Sequence, residues 1–107
     1  MKFQGSNVLI TGASKGIGAQ IAKTLAGYGL KVWINYRSKP ELADNLQKEI
    51  ESSGGKAAVI KFDASVEEEF VSALKVIIES DGKLDYLVNN AGITNDKLAL
   101  RMSIGDF

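Results

Sequence analysis

The chain has 107 residues, enough for one domain with a core of its own and too few for two. Thirteen basic residues balance thirteen acidic ones, so no net field favours nucleic acid or an anionic membrane surface. Hydrophobic residues make up 45%, and the absence of both cysteine and histidine excludes disulfides, thiol catalysis and any metal site other than an all-oxygen one.

Short apolar runs alternate with longer amphipathic ones. Val8-Leu9-Ile10 runs into a glycine and reads as a strand buried on both faces. From Gly16 onward, the apolar residues Ile17, Ile21, Leu25 and Tyr28 recur at helical spacing, and Gly27 and Gly29 can close that helix. Lys31 to Tyr36 (KVWINY) is β-branched and aromatic, hence a second strand. Ser38-Lys39-Pro40-Glu41 has capping-box spacing, with Ser38 as the cap and Leu42, Leu46 and Ile50 on one helical face up to Gly54-Gly55.

Ala57 to Phe62 reads as a third strand. Ser65 and Glu68 repeat the capping-box spacing ahead of Val66, Phe70, Leu74, Ile77 and Ile78. Asp81-Gly82 is a turn, Leu84 to Asn89 a fourth strand, and a further helix is expected to begin near Met102. Strands separated by amphipathic helices pair in parallel through right-handed crossovers. The expected fold is therefore α/β: a Rossmann-like parallel sheet of order 3-2-1-4, truncated after the fourth strand. No apolar run approaches the ~18 residues of a membrane span and no leader pattern opens the chain, so a cytoplasmic protein is expected.

A phosphate-binding turn needs a sharp reversal after a strand, close backbone approach to the ligand, and a helix N-terminus aimed at the anion. Gly12 supplies the reversal, while Gly16 and Gly18 carry no side chain to block a pyrophosphate or hold the helix off the sheet. The spacing is G-x-x-x-G-x-G rather than G-x-G-x-x-G, matching the dinucleotide fingerprint in mechanism and not letter by letter.

Thr11-Gly12-Ala13-Ser14-Lys15-Gly16-Ile17-Gly18 resembles the TGxxxGxG signature of short-chain dehydrogenases/reductases, and Asn89-Asn90-Ala91-Gly92 resembles that family's NNAG motif after the fourth strand. The resemblance implies a nicotinamide cofactor held by Gly12 to Gly18. It places Asp63, followed by Ala64, at the adenine amino group, and Asn90, Ala91 and Gly92 beside the cofactor ribose. Asn89 is divided between cofactor contact and bracing of the sheet.

Cofactor choice turns on the end of the second strand, where a carboxylate suits NAD and positive charge suits NADP. Here Asn35-Tyr36 is followed by Arg37, whose guanidinium can grip a phosphate through two parallel bonds, and Lys15 and Ser14 add a cation and a donor from the loop. NADPH is the expected cofactor.

Gly92-Ile93-Thr94-Asn95-Asp96-Lys97-Leu98-Ala99-Leu100-Arg101-Met102 resembles the AGITRDxLxxRM run of 3-oxoacyl-acyl-carrier-protein reductases, with Asn95 where arginine is common. This implies a substrate tethered to acyl carrier protein and reduced during fatty-acid elongation; acetoacetyl-CoA reductases carry related loops. The family's proton donor is a tyrosine followed four residues later by lysine. Val32, Pro40 and Asn90 stand four residues after Tyr28, Tyr36 and Tyr86, so no catalytic residue is assigned. The expectation is that residues 1–107 form the N-terminal, cofactor-binding part of a single Rossmann domain, incomplete at its C-terminus, inactive alone and prone to self-association along an open fourth strand. The parent protein is expected to be a homotetramer, as family members commonly are. A complete, non-catalytic NADPH-binding module and an association-prone fragment that binds little remain as alternatives.

Overall fold

The computed structural model describes residues 5–90. Strands and helices alternate as β1 (Asn7–Ile10), α1 (Gly16–Gly27), β2 (Lys31–Tyr36), α2 (Pro40–Ser52), β3 (Lys56–Lys61), α3 (Glu67–Asp81) and β4 (Tyr86–Val88). All pairings are parallel and the strand order is β3-β2-β1-β4, the Rossmann-like arrangement expected from the alternation of elements. The region near Met102 lies outside the described residues.

The central strands divide their side chains between two layers by the period of two. Val8, Ile10, Val32 and Ile34 face α1 and α2, meeting Ala22, Ala26, Ala43, Leu46 and Ile50. Leu9 and Trp33 face α3, meeting Phe70, Ala73, Leu74 and Ile77. Phe70 is fully buried and packs edge-on against Phe62, with ring centroids 5.6 Å apart. Burial of one such aromatic side chain stabilises the fold by roughly 2–3 kcal/mol.

Three details depart from the pattern read in the sequence. The buried face of α1 is Gly18, Ala22 and Ala26, not the Ile17–Tyr28 stripe. Ile17 and Tyr28 are 74% and 47% exposed, while Ile21 and Leu25 only flank the core. Small residues allow α1 to approach the sheet closely, and this geometry overrides the hydrophobic count.

Neither capping box forms. Helix α2 begins after Lys39 and α3 after Val66, both without a side-chain cap among the described residues. Ser65 instead donates its hydroxyl and its N–H to Asp63 Oδ1, at 2.6 and 3.0 Å, and Glu69 rather than Glu68 reaches back, to the Asp63 N–H. Strand β4 is also shorter than read, because the Asp85 N–H goes to Asn7 Oδ1 and Asn89 and Asn90 turn onto Thr11.

Where the strands begin, Asp81 closes α3 onto the sheet. Its carboxylate accepts from Lys31 Nζ at 2.7 Å, Trp33 Nε1 at 2.8 Å and Asn7 Nδ2 at 2.9 Å. Burial opposes its ionisation, but the bonds from Lys31, Trp33 and Asn7 outweigh that cost and lower its pKa to about 2. Gly82, at φ +81°, then ends the helix in the left-handed conformation, with its N–H donating to Ile78 O. With the strand starts fastened in this way, the opposite end of the sheet is left to the loops. Among the described residues, no helix is long and apolar enough to cross a membrane.

Candidate functional site

The loops after β1, β2 and β3 converge where these parallel strands end, the usual crevice of an open α/β sheet. Gly12 makes the reversal after β1 at φ +61°, a conformation that strains any residue with a Cβ. Two asparagines hold its peptide groups. The Gly12 N–H donates to Asn35 Oδ1 at 2.9 Å, and its carbonyl accepts from Asn90 Nδ2 at 3.2 Å. Ala13 is fully buried and donates its N–H to the Asn35 carbonyl at 3.1 Å, so its contribution is to the shape of the loop.

The other two glycines divide the remaining tasks. A Cβ on Gly18 would lie 2.4 Å from Gly12 O, 2.6 Å from Asn90 Nδ2 and 2.9 Å from Ala13 Cα. Gly18 is therefore the close-packing glycine. Gly16, at φ +62°, has open space where its Cβ would stand. The first turn of α1 has no side-chain cap among the described residues, so its N–H groups and the positive end of the helix dipole remain available to an anion. A glycine that opens onto space beside an uncapped N-terminus fits a diphosphate.

Next to this turn lies a cleft of about 320 Å³. Ser14 and Lys15 form one wall, Arg37, Ser38 and Lys39 a second, and Phe62, Asp63, Ala64 and Ser65 a third. Leu42 contributes apolar surface, whereas its neighbour Ala43 faces the core. Three cations thus face a single carboxylate. Arg37 Nη1 stands 3.9 Å from Asp63 Oδ2, with the arginine side chain 74% exposed and free to swing towards a ligand. The two bonds from Ser65 outweigh the opposing desolvation and, with a smaller contribution from the Arg37 charge, hold the Asp63 carboxyl below its ordinary value. Asp63 is therefore an anionic acceptor across the neutral pH range.

The structure brings Ser14, Lys15, Arg37, Asp63 and Ala64 to one cleft. Ile17 stands outside it on the exposed start of α1. Asn89 accepts the Thr11 hydroxyl at 3.2 Å, and the Asn90 N–H donates to the same hydroxyl at 2.9 Å, so both asparagines brace β4 against β1. Ala91, Gly92 and the run to Met102 lie outside the described residues.

Several residues of the cleft escaped the sequence reading, Lys39 and Asn35 among them. Lys39 read only as part of a cap. Asn35 read only as part of a strand, although a lone amide in the apolar run KVWINY was a signal, since asparagine is depleted in strands.

The short chain dehydrogenase family model matches residues 6–107. A 3-oxoacyl-[acyl-carrier-protein] reductase from Synechocystis is 40% identical over 99 residues, covering 92% of this chain and 40% of the relative. One of the same name from Staphylococcus aureus is 41% identical over 96 residues, covering 90% of this chain and 39% of the relative. A metagenomic short-chain oxidoreductase, solved in complex with NADP, superposes with a TM-score of 0.81 at 33% identity, covering 87% of this chain and 42% of that one. The chain spans about 40% of the length of the curated relatives it matches.

Proposed function

The chain belongs to the short-chain dehydrogenase family, and from that premise we propose that it forms the NADPH-binding part of a reductase. The reaction we assign to the whole enzyme converts 3-oxoacyl groups on acyl carrier protein to 3-hydroxyacyl groups. The observation that carries the cofactor reading is the cleft wall: Lys15, Arg37 and Lys39 against Asp63 alone, with no acid at the end of β2. The substrate reading rests on the two relatives named for that reaction.

In this reading the free N–H groups at the start of α1, beside Gly16, hold the diphosphate. Arg37 turns from Asp63 to the 2′-phosphate in a bidentate, charge-assisted grip, with Lys15, Ser14 and Lys39 completing the pocket. Asp63 accepts the adenine amino group, and Ala64, Phe62 and Leu42 flank the base. Ile17 borders the diphosphate from the exposed side of the helix start. Asn90 keeps one amide hydrogen on Gly12 and offers its other polar valences to the ribose, next to Ala91 and Gly92. NADPH, when bound, supplies the hydride. No tyrosine in the chain has a lysine four residues on, so these 107 residues bind and orient the cofactor without protonating a substrate.

The test is a pair of titrations on Arg37→Ala. NADPH affinity should fall about 10- to 100-fold, the loss expected for a charge-assisted grip, while NADH affinity changes less than about threefold. Equal losses for the two nucleotides would remove the basis for assigning NADPH.

A further inference from the structure

Asn35 lies inside β2, only 3% exposed, yet its partners belong to two different parts of the proposed nucleotide site. The β1–β2 ladder ends at Ile10 paired with Ile34, and the β2–β3 ladder at Tyr36 paired with Lys61. Beyond those points the side-chain amide of Asn35 continues the ladder as a peptide would. Its Oδ1 accepts the Gly12 N–H at 2.9 Å, and its Nδ2 donates to the Phe62 carbonyl at 2.9 Å and to the Tyr36 carbonyl at 3.4 Å. Gly12 opens the phosphate turn, and Phe62 precedes Asp63 at the adenine end. A buried amide is tolerated only when its polar atoms are satisfied, and here both ends are spent on this bridge.

We propose that Asn35 is a positioning residue that fixes the spacing between the phosphate turn and the Asp63 wall, so that one nucleotide can engage both. This rests on the nucleotide reading above. Asn35 borders the cleft, but both ends of its amide are committed to backbone, so it acts through the two walls it joins and not through a polar contact to the ligand. Its effect therefore depends on ligand length. A ligand that reaches both walls needs the bridge, whereas adenosine 2′-monophosphate, confined to the Arg37–Asp63 end, does not.

Two variants of the full chain separate the halves of the bridge. Asn35→Leu removes both, and Asn35→Asp keeps the acceptor for Gly12 while losing the donor to Phe62. Amide hydrogen exchange needs no ligand. In Asn35→Leu the Gly12 amide should exchange at least about tenfold faster, with the Leu9 and Val32 amides unchanged as the folding control. In Asn35→Asp the Gly12 amide should stay protected while the Phe62 amide, bonded to the Tyr36 carbonyl at 3.1 Å, exchanges faster; this variant decides the matter if the leucine variant does not fold. In either folded variant, NADPH affinity should fall about tenfold and adenosine 2′-monophosphate affinity by less than about threefold. Unchanged exchange at Gly12 in Asn35→Leu and at Phe62 in Asn35→Asp, or equal loss of both ligands, overturns the proposal. Failure of the unsubstituted chain to bind either nucleotide overturns the nucleotide reading instead, and the exchange data still decide whether Asn35 holds the turn.

Discussion

Replacing Gly18 with alanine tests how α1 meets the phosphate turn. The added Cβ would stand 2.4 Å from Gly12 O and 2.6 Å from Asn90 Nδ2, about 1 Å inside the ~3.5 Å at which non-bonded atoms sit at rest. Gly12 cannot yield easily, since Asn35 holds its N–H and Asn90 its carbonyl. Overpacking of this kind costs about 1–3 kcal/mol, and pinned backbone on the receiving side puts this site near the top of that range. Alanine returns about 1 kcal/mol of helix propensity. The net expectation is a destabilisation of about 2 kcal/mol, read as a lower urea midpoint at unchanged slope. Gly27→Ala is the matched control. It lies in the same helix with nothing within 4 Å of its Cβ position, so it should stabilise by up to ~1 kcal/mol. If Gly18→Ala is as stable as the unsubstituted chain, or gains stability as Gly27→Ala does, the close approach of α1 to the turn is refuted.

Acid should loosen the opposite end of the sheet. The folded-state pKa of Asp81 is about 2, below the 3.8 of an unperturbed aspartate, so its contribution is complete above about pH 4 and is lost as pH falls towards 2. The shift corresponds to roughly 2 kcal/mol, and Asp81→Asn should flatten the stability curve across that window; an unchanged acid slope would show that another group titrates there. In contrast, Lys23→Ala should change stability by less than ~0.5 kcal/mol, because its 3.1 Å pair with Glu49 joins side chains that are 39% and 57% exposed. A measured loss above 1 kcal/mol would contradict that reading of the pair.

The alternation of apolar runs was enough to place four strands, three helices and their order, because parallel strands buried on both faces have few other readings. The glycine turn, Lys15 and Arg37 were legible for a related reason: each depends on residue type at short range. What depends on tertiary approach was not. The face of α1 is chosen by how near Gly18, Ala22 and Ala26 let the helix come, and a count of large apolar residues points to the wrong side. Both capping boxes had the right spacing, but Asp63 offered Ser65 a nearer acceptor, and helix α2 starts from Lys39. Asp81 looked like a turn residue. Only folding shows that Asn7, Lys31 and Trp33, remote in sequence, deliver three donors to it. Asn35 has the same history: its amide gains meaning once β1 and β3 lie on either side of β2.

The proposed site would hold the adenine and phosphates of NADPH between the Gly12–Gly18 turn and the Arg37–Asp63 wall. Backbone amide shifts recorded during titration of the chain with NADPH test it most directly. The predicted result is saturable change at Ser14, Lys15, Gly16, Arg37, Asp63 and Ala64, with Lys31, Asp81 and Lys83 at the far end of the sheet unmoved. Saturable binding that leaves the turn and Arg37 unshifted, or no binding at all, would contradict it.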